Sequence, residues 1–136
     1  MESEHDGTVT KSDLDHLATR IIDGAFEVHS ALGPGLLESI YEVCLAHELA
    51  KLGLPVRRQV PLPVRYDGLE LEGGFRIDLL VADLVVVEIK SIERVLPIHG
   101  TQVLTYLKLS GLRLGMLLNF NVVHMRDGVK RVAHRL

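Results

Sequence analysis

Asp78 and the triplet Glu88-Ile89-Lys90 stand inside two runs that otherwise read as buried strand. The runs are Phe75-Arg76-Ile77-Asp78-Leu79-Leu80-Val81 and Leu84-Val85-Val86-Val87-Glu88-Ile89-Lys90. Burying an unpaired charge is costly, so such groups enter a strand only with partners or a metal. An oxygen-rich cluster suits a hard divalent cation such as Mg²⁺, which points to a metal-dependent enzyme. The plainer alternative is an Asp/Lys or Glu/Arg pair that stabilises a solvated face.

Register arithmetic bears on the choice. If Ala82-Asp83-Leu84 forms the loop, Val81 pairs with Val85, Leu79 with Val87 and Ile77 with Ile89. Cross-strand partners share a face, so one face becomes wholly apolar. The other carries Arg76, Asp78 and Leu80 against Val86, Glu88 and Lys90, with Asp78 opposite Glu88. A two-residue loop would set Asp78 opposite Val87 and scatter charge over both faces, which a half-buried sheet penalises. Two facing carboxylates repel and raise a pKa unless a cation lies between them.

Two more constellations could join this pair. Glu38 and Tyr41, in Gly35-x-x-Glu38-x-x-Tyr41, share one face of a helix. Glu38 would be a third carboxylate reaching the same cation, although the macrodipole alone also favours an acid in a first turn. His99, Gln102 and Tyr106 follow at helical spacing as a polar stripe, with Ile98, Val103, Leu104 and Leu107 on the packing side. Gln102 and Tyr106, about one turn apart, can hold a phosphate or orient a water. An amphipathic helix with a polar outer face would look the same. None of the seven histidines makes a paired metal motif, and no nucleophile elbow, phosphate loop or dinucleotide glycine motif occurs.

The elements that must position these groups follow from periodicity and punctuation. Residues 1–9 read as a disordered tail and 10–136 as a single domain. Ser12 to Asp15 has the form of a capping box, and Leu14, Leu17, Ile21, Ala25, Val28 and Leu32 continue at helical spacing. Gly33-Pro34-Gly35 stops that helix; a second runs from about Leu36 to Leu52. Pro55 to Tyr66 reads as an edge strand interrupted by Pro61 and Pro63, and Asp67-Gly68 as a hairpin turn. Strands at 70–81 and 84–91 come next. A helix from Pro97 to Gly111, a strand at 113–120 and a short last strand from Val129 to Ala133 complete the order. The strand–helix–strand crossover implies a parallel pair within a mixed sheet.

Bulk properties narrow the class. At 136 residues, 47% of them hydrophobic, the chain can build one real core. No apolar run approaches the length of a membrane span, and the polar, acidic N-terminus shows no signal-peptide pattern. The single cysteine, Cys44, excludes an internal disulfide and a Cys-rich metal site; it reads as core, and a cytoplasmic location is expected. Net charge is −3, but up to residue 83 there are seven Lys/Arg against fifteen Asp/Glu, and eight against three thereafter. The second half could offer a phosphate-facing surface.

Taken together, these pieces resemble the PD-(D/E)XK nuclease superfamily, and within it the small bacterial and archaeal GxxExxY group, over residues 12–134. Gly35-Leu36-Leu37-Glu38-Ser39-Ile40-Tyr41 is similar to the group's signature. Asp78 matches the superfamily's metal-binding Asp, with Ile77 where the eponymous Pro would be. Glu88-Ile89-Lys90 matches the E-x-K element, and Gln102 to Tyr106 resembles the Q-x-x-x-Y motif of RecB-like members. The resemblance implies an α/β fold, a mixed β-sheet flanked by helices in a restriction-endonuclease-like core. It also implies phosphodiester hydrolysis with Mg²⁺ or Mn²⁺. Asp78 and Glu88 would bind the metal, with the Ile89 carbonyl a further ligand and Glu38 direct or through water. Lys90 would orient or deprotonate the attacking water and offset charge on the phosphate, and Gln102 and Tyr106 would position the nucleic-acid backbone.

The leading expectation is therefore a metal-dependent nuclease acting on DNA, with sequence specificity weak or supplied by a protein partner. Small size, acidic net charge and the lack of an appended DNA-binding domain favour a rival: a non-catalytic nucleic-acid-binding or assembly module that retains the fold. A homodimer clamping duplex DNA is a third expectation, since 136 residues offer little footprint. No membrane partner is expected.

Overall fold

The computed structural model describes residues 7–136. The expected tail falls outside the described residues over 1–6. Its last residue, Val9, packs against the core and accepts a hydrogen bond on its carbonyl from Arg113. The cap of helix α1 (Lys11–Leu32) is Thr10, two residues before the expected Ser12. Thr10 Oγ accepts from Asp13 N at 3.1 Å, and the Asp13 carboxylate accepts from Thr10 N at 2.9 Å. The capping box is thus Thr10-x-x-Asp13. Asp15, expected to close it, instead pairs with Lys11 and with Arg131 of the last strand. Leu14, Leu17, Ile21, Ala25 and Val28 form the buried stripe, whereas Leu32 at the helix end is exposed.

Helix α2 (Glu38–Lys51) follows the glycine-proline turn and packs on α1. Strands β1 (Val56–Tyr66), β2 (Leu69–Val81), β3 (Val85–Lys90), β4 (Leu114–Asn119) and β5 (Val129–Ala133) form one mixed sheet in that spatial order. Helix α3 (Pro97–Ser110) carries the chain from β3 to the parallel β4, and a 3₁₀ turn (Met125–Gly128) leads into β5. One core joins α1 and α2 to Val85, Val87 and Ile89 of β3 and to Leu114, Met116 and Leu118 of β4. A smaller core places Tyr106 and Leu107 of α3 against Leu80 and Val86. Because β3 is covered on both faces, it is apolar without alternation. No helix among the described residues is long and apolar enough to cross a membrane.

Two irregularities in the β1–β2 hairpin matter for the site. From the Asp67-Gly68 turn the ladder starts Tyr66↔Leu69 and Val64↔Leu71, then resumes at Leu62↔Phe75. One residue of β1 there faces three of β2, including Gly73 and Gly74 at φ +115° and +121°, values that only glycine adopts readily. The second irregularity is at Asp78. Leu79 lies in the α1/α2 core, but Ile77, two residues earlier, lies in the α3 core. Strand β2 therefore turns over at Asp78, and the wholly apolar face expected to include Ile77 does not form as such. The β2–β3 pairing runs as expected through Val81↔Val85 and Leu79↔Val87, but the Ile77–Ile89 pair is missing from it.

A candidate metal centre at the end of the β2–β3 ladder

Where the ladder stops, side chains take over from the backbone. Glu88 accepts a hydrogen bond from Asp78 N at 3.0 Å, and Asp78 Oδ2 accepts one from Ile89 N at 2.9 Å. Each carboxylate thus caps the other strand's amide, and the two are held face to face. Burial pushes the Glu88 carboxyl up to about 8, with the facing Asp78 charge adding to the effect; the Asp78 amide and the Lys90 charge oppose it. Asp78 is also raised, chiefly by burial, against the pull of Ile89 N and Gln59. Both carboxylates are thereby poised to gain from a cation.

Helix α2 brings two more acids to this centre. Glu38, at its first residue, accepts from Ser91 N at 3.2 Å, and Ser91 Oγ donates to Leu36 O at 2.5 Å. These bonds tie the head of α2 to the residue that follows β3, close enough for the Glu38 charge to raise Glu88. Tyr41 does not reach the carboxylates. It is fully buried, stacks on Phe120 with centroids 4.5 Å apart, donates to Gly33 O at 2.5 Å and accepts from Leu36 N at 3.1 Å. Its part is to fix the turn that presents Glu38. Glu42, one turn beyond Glu38, is buried and acts electrostatically on Asp78.

Helix α3 lies differently from its expected orientation. Tyr106 is only 4% exposed and packs edge-on against Phe75, with centroids 5.6 Å apart. The supposed packing residue Ile98 is 64% exposed. The wide apolar ring belongs on the Val103–Leu107 side, and its burial outweighs the single hydroxyl. Burial, with the Glu88 and Asp78 charges, pushes the Tyr106 hydroxyl up to about 12, so it is a neutral group facing the carboxylates. His99 is spent at the helix start, where Nδ1 accepts from Leu96 N at 2.9 Å. Gln102 is half-buried about one turn before Tyr106 and lies outside the hydrogen bonds of the centre.

Asp78, Glu88, Lys90, Glu38 and Tyr106 thus converge from four elements. Sequence reasoning missed Gln59, which donates to Asp78 Oδ1 at 3.2 Å, and its partner Glu42. Only the four-residue spacing of Glu42 from Glu38 could have drawn attention to it. Among the described residues, no three His, Cys, Asp or Glu side chains form a ready metal cage. The two facing carboxylates have the oxygen chemistry to hold a cation, the rest of whose shell would come from backbone carbonyl and water. An oxygen-only set suits Mg²⁺ or Mn²⁺. A family model described as the PD-(D/E)XK nuclease superfamily matches residues 15–132, while no curated protein and no solved structure matches the chain.

Proposed function

The chain belongs to the PD-(D/E)XK nuclease superfamily, and from that premise we propose that it is a metal-dependent nuclease hydrolysing phosphodiester bonds of DNA. The reading is carried by the facing pair Asp78 and Glu88, joined by reciprocal side-chain-to-amide bonds at the end of two strands. We assign it further to the GxxExxY group, which Gly35, Glu38 and Tyr41 support. Gly35 takes φ +100° in the turn, Tyr41 braces that turn, and Glu38 closes on Ser91.

In this proposal Asp78 and Glu88 hold Mg²⁺ or Mn²⁺, with the Ile89 carbonyl as a further ligand and Glu38 direct or through water. The bound ion supplies a Lewis acid for the phosphate and a water of lowered pKa. Lys90, two residues beyond Glu88, orients or deprotonates the attacking water and offsets charge gathering on the phosphate. Tyr106 and Gln102 position the backbone of the substrate from α3. The nuclease acts in the cytoplasm, with a protein partner or a second copy supplying reach and specificity.

The rival, a binding or assembly module without turnover, draws on one observation: Asp78 and Glu88 already bond backbone amides, as structural carboxylates do. Cleavage of labelled single- and double-stranded DNA with Mg²⁺, Mn²⁺ or EDTA separates the two. Metal-dependent cutting that falls at least 100-fold in Asp78→Ala and Lys90→Ala is the expected outcome. Mobility shift with no product in any metal would instead favour the module.

A further inference from the structure

Gln59 falls across the hairpin from Asp78, between the pairs Arg58↔Leu79 and Val60↔Ile77. Its φ is +52°, a left-handed conformation foreign to a regular strand and uncommon for glutamine. Its side-chain nitrogen donates to Asp78 Oδ1 at 3.2 Å and to Glu42 Oε1 at 2.6 Å. One NH₂ group thus serves two carboxylates, and acceptors on both sides settle which end of the amide faces them. Glu42 is only 6% exposed and is clamped by Arg58, whose Nε and Nη2 lie 3.1 and 3.0 Å from its Oε2. A continuous line of contacts runs from Arg58 through Glu42 and Gln59 to Asp78, whose other oxygen is fixed by Ile89 N.

We propose that Gln59 is a positioning residue: its left-handed backbone turns the carboxamide onto Asp78 and ties that carboxylate, through Glu42, to α2, thereby setting the affinity of the site for a divalent cation. The inference rests on the reading of Asp78 as a cation ligand. Donors from two strands hold both Asp78 oxygens, the kind of outer support that orients a metal-ligating carboxylate. The backbone conformation supports the assignment. Strained residues persist where their surroundings over-determine them, and they gather at functional sites. A merely structural role at φ +52° would be served as well by glycine, which adopts it without strain.

That contrast supplies the test. Mn²⁺ is titrated calorimetrically into metal-free wild type, Gln59→Gly and Asp78→Asn, without nucleic acid, and the melting temperature of each metal-free protein is measured. Gln59→Gly suits the left-handed backbone and removes the side chain with its carboxamide. Gln59→Asn, tolerant of the same φ but too short to span both carboxylates, guards against a glycine variant that fails to fold. The expected result is Mn²⁺ binding by wild type, none by Asp78→Asn, and binding weakened about 10- to 100-fold in a Gln59 variant whose melting is unchanged or raised. Wild-type affinity in either folded Gln59 variant overturns the positioning role and leaves Asp78 as ligand untouched. If wild type does not bind Mn²⁺, or Asp78→Asn binds it equally well, the ligand reading fails and takes this inference with it.

Discussion

The carboxylates at positions 78 and 88 make the protein sensitive to protons and, in the proposed function, to a divalent cation. Glu88 in the folded chain titrates at about 8 against an ordinary 4.5. Between those values the unfolded chain has ionised this group while the folded chain still holds its proton. The native state therefore binds more protons, and its stability falls as pH rises through the window. Asp78, also raised, contributes with the same sign. Urea unfolding of metal-free protein is expected to show stability declining from pH 5 to pH 8. Glu88→Gln, neutral and of equal size, should flatten that decline and leave the variant more stable than wild type at pH 8. An unchanged slope in Glu88→Gln would mean that the facing pair is not its source. The acids themselves were legible because charge interrupts two apolar runs; Gln59 was not, because a polar residue on an edge strand raises no alarm.

At the scale of elements, punctuation was more legible than orientation. Gly33-Pro34-Gly35, Asp67-Gly68, Pro97 and Gly111 mark boundaries through backbone chemistry that needs no partner, and the elements begin and end beside them. Which way α3 turns depends on Phe75, a partner 31 positions away in sequence that receives the Tyr106 ring. The Ser12–Asp15 cap failed for a related reason, since Thr10-x-x-Asp13 has the same form and Asp15 finds Arg131. Tyr41 shows how an element delivers a residue to the site without touching it. Removing its hydroxyl in Tyr41→Phe leaves Gly33 O and Leu36 N without that partner while keeping the stack on Phe120. The expected cost is about 1–3 kcal/mol of stability in urea unfolding, with a looser turn ahead of Glu38. A cost below about 0.5 kcal/mol would show that water replaces the hydroxyl there.

For the whole molecule, the parallel β3–β4 pair and its covering helices follow from the strand–helix–strand order, and the mixed sheet was legible for that reason. The proposed substrate adds a property of the entire surface. In the proposed function, the excess of Lys/Arg after residue 83 would serve the phosphates of the substrate. Binding of a short duplex in Ca²⁺ is expected to weaken with added salt, with a log–log slope of about −4, as for roughly four or five neutralised phosphates. A flat salt response would remove nucleic acid as the partner. What no pattern of apolar residues could reveal is the wide bulge at Gly73 and Gly74, which gives β2 two more residues than β1. Strand faces repeat every second residue, so a slip of two leaves each side chain on its own side. The hydrophobic interior is indifferent to such a slip, yet every neighbour across the hairpin beyond the bulge moves by two positions. Counted straight from the turn, Gln59 would face Arg76; the added pair sets it against Asp78 instead. The make-up of the centre is thus governed by chain length as well as by composition, and gaining or losing residues in pairs along this hairpin can re-equip it without disturbing the interior that holds the fold.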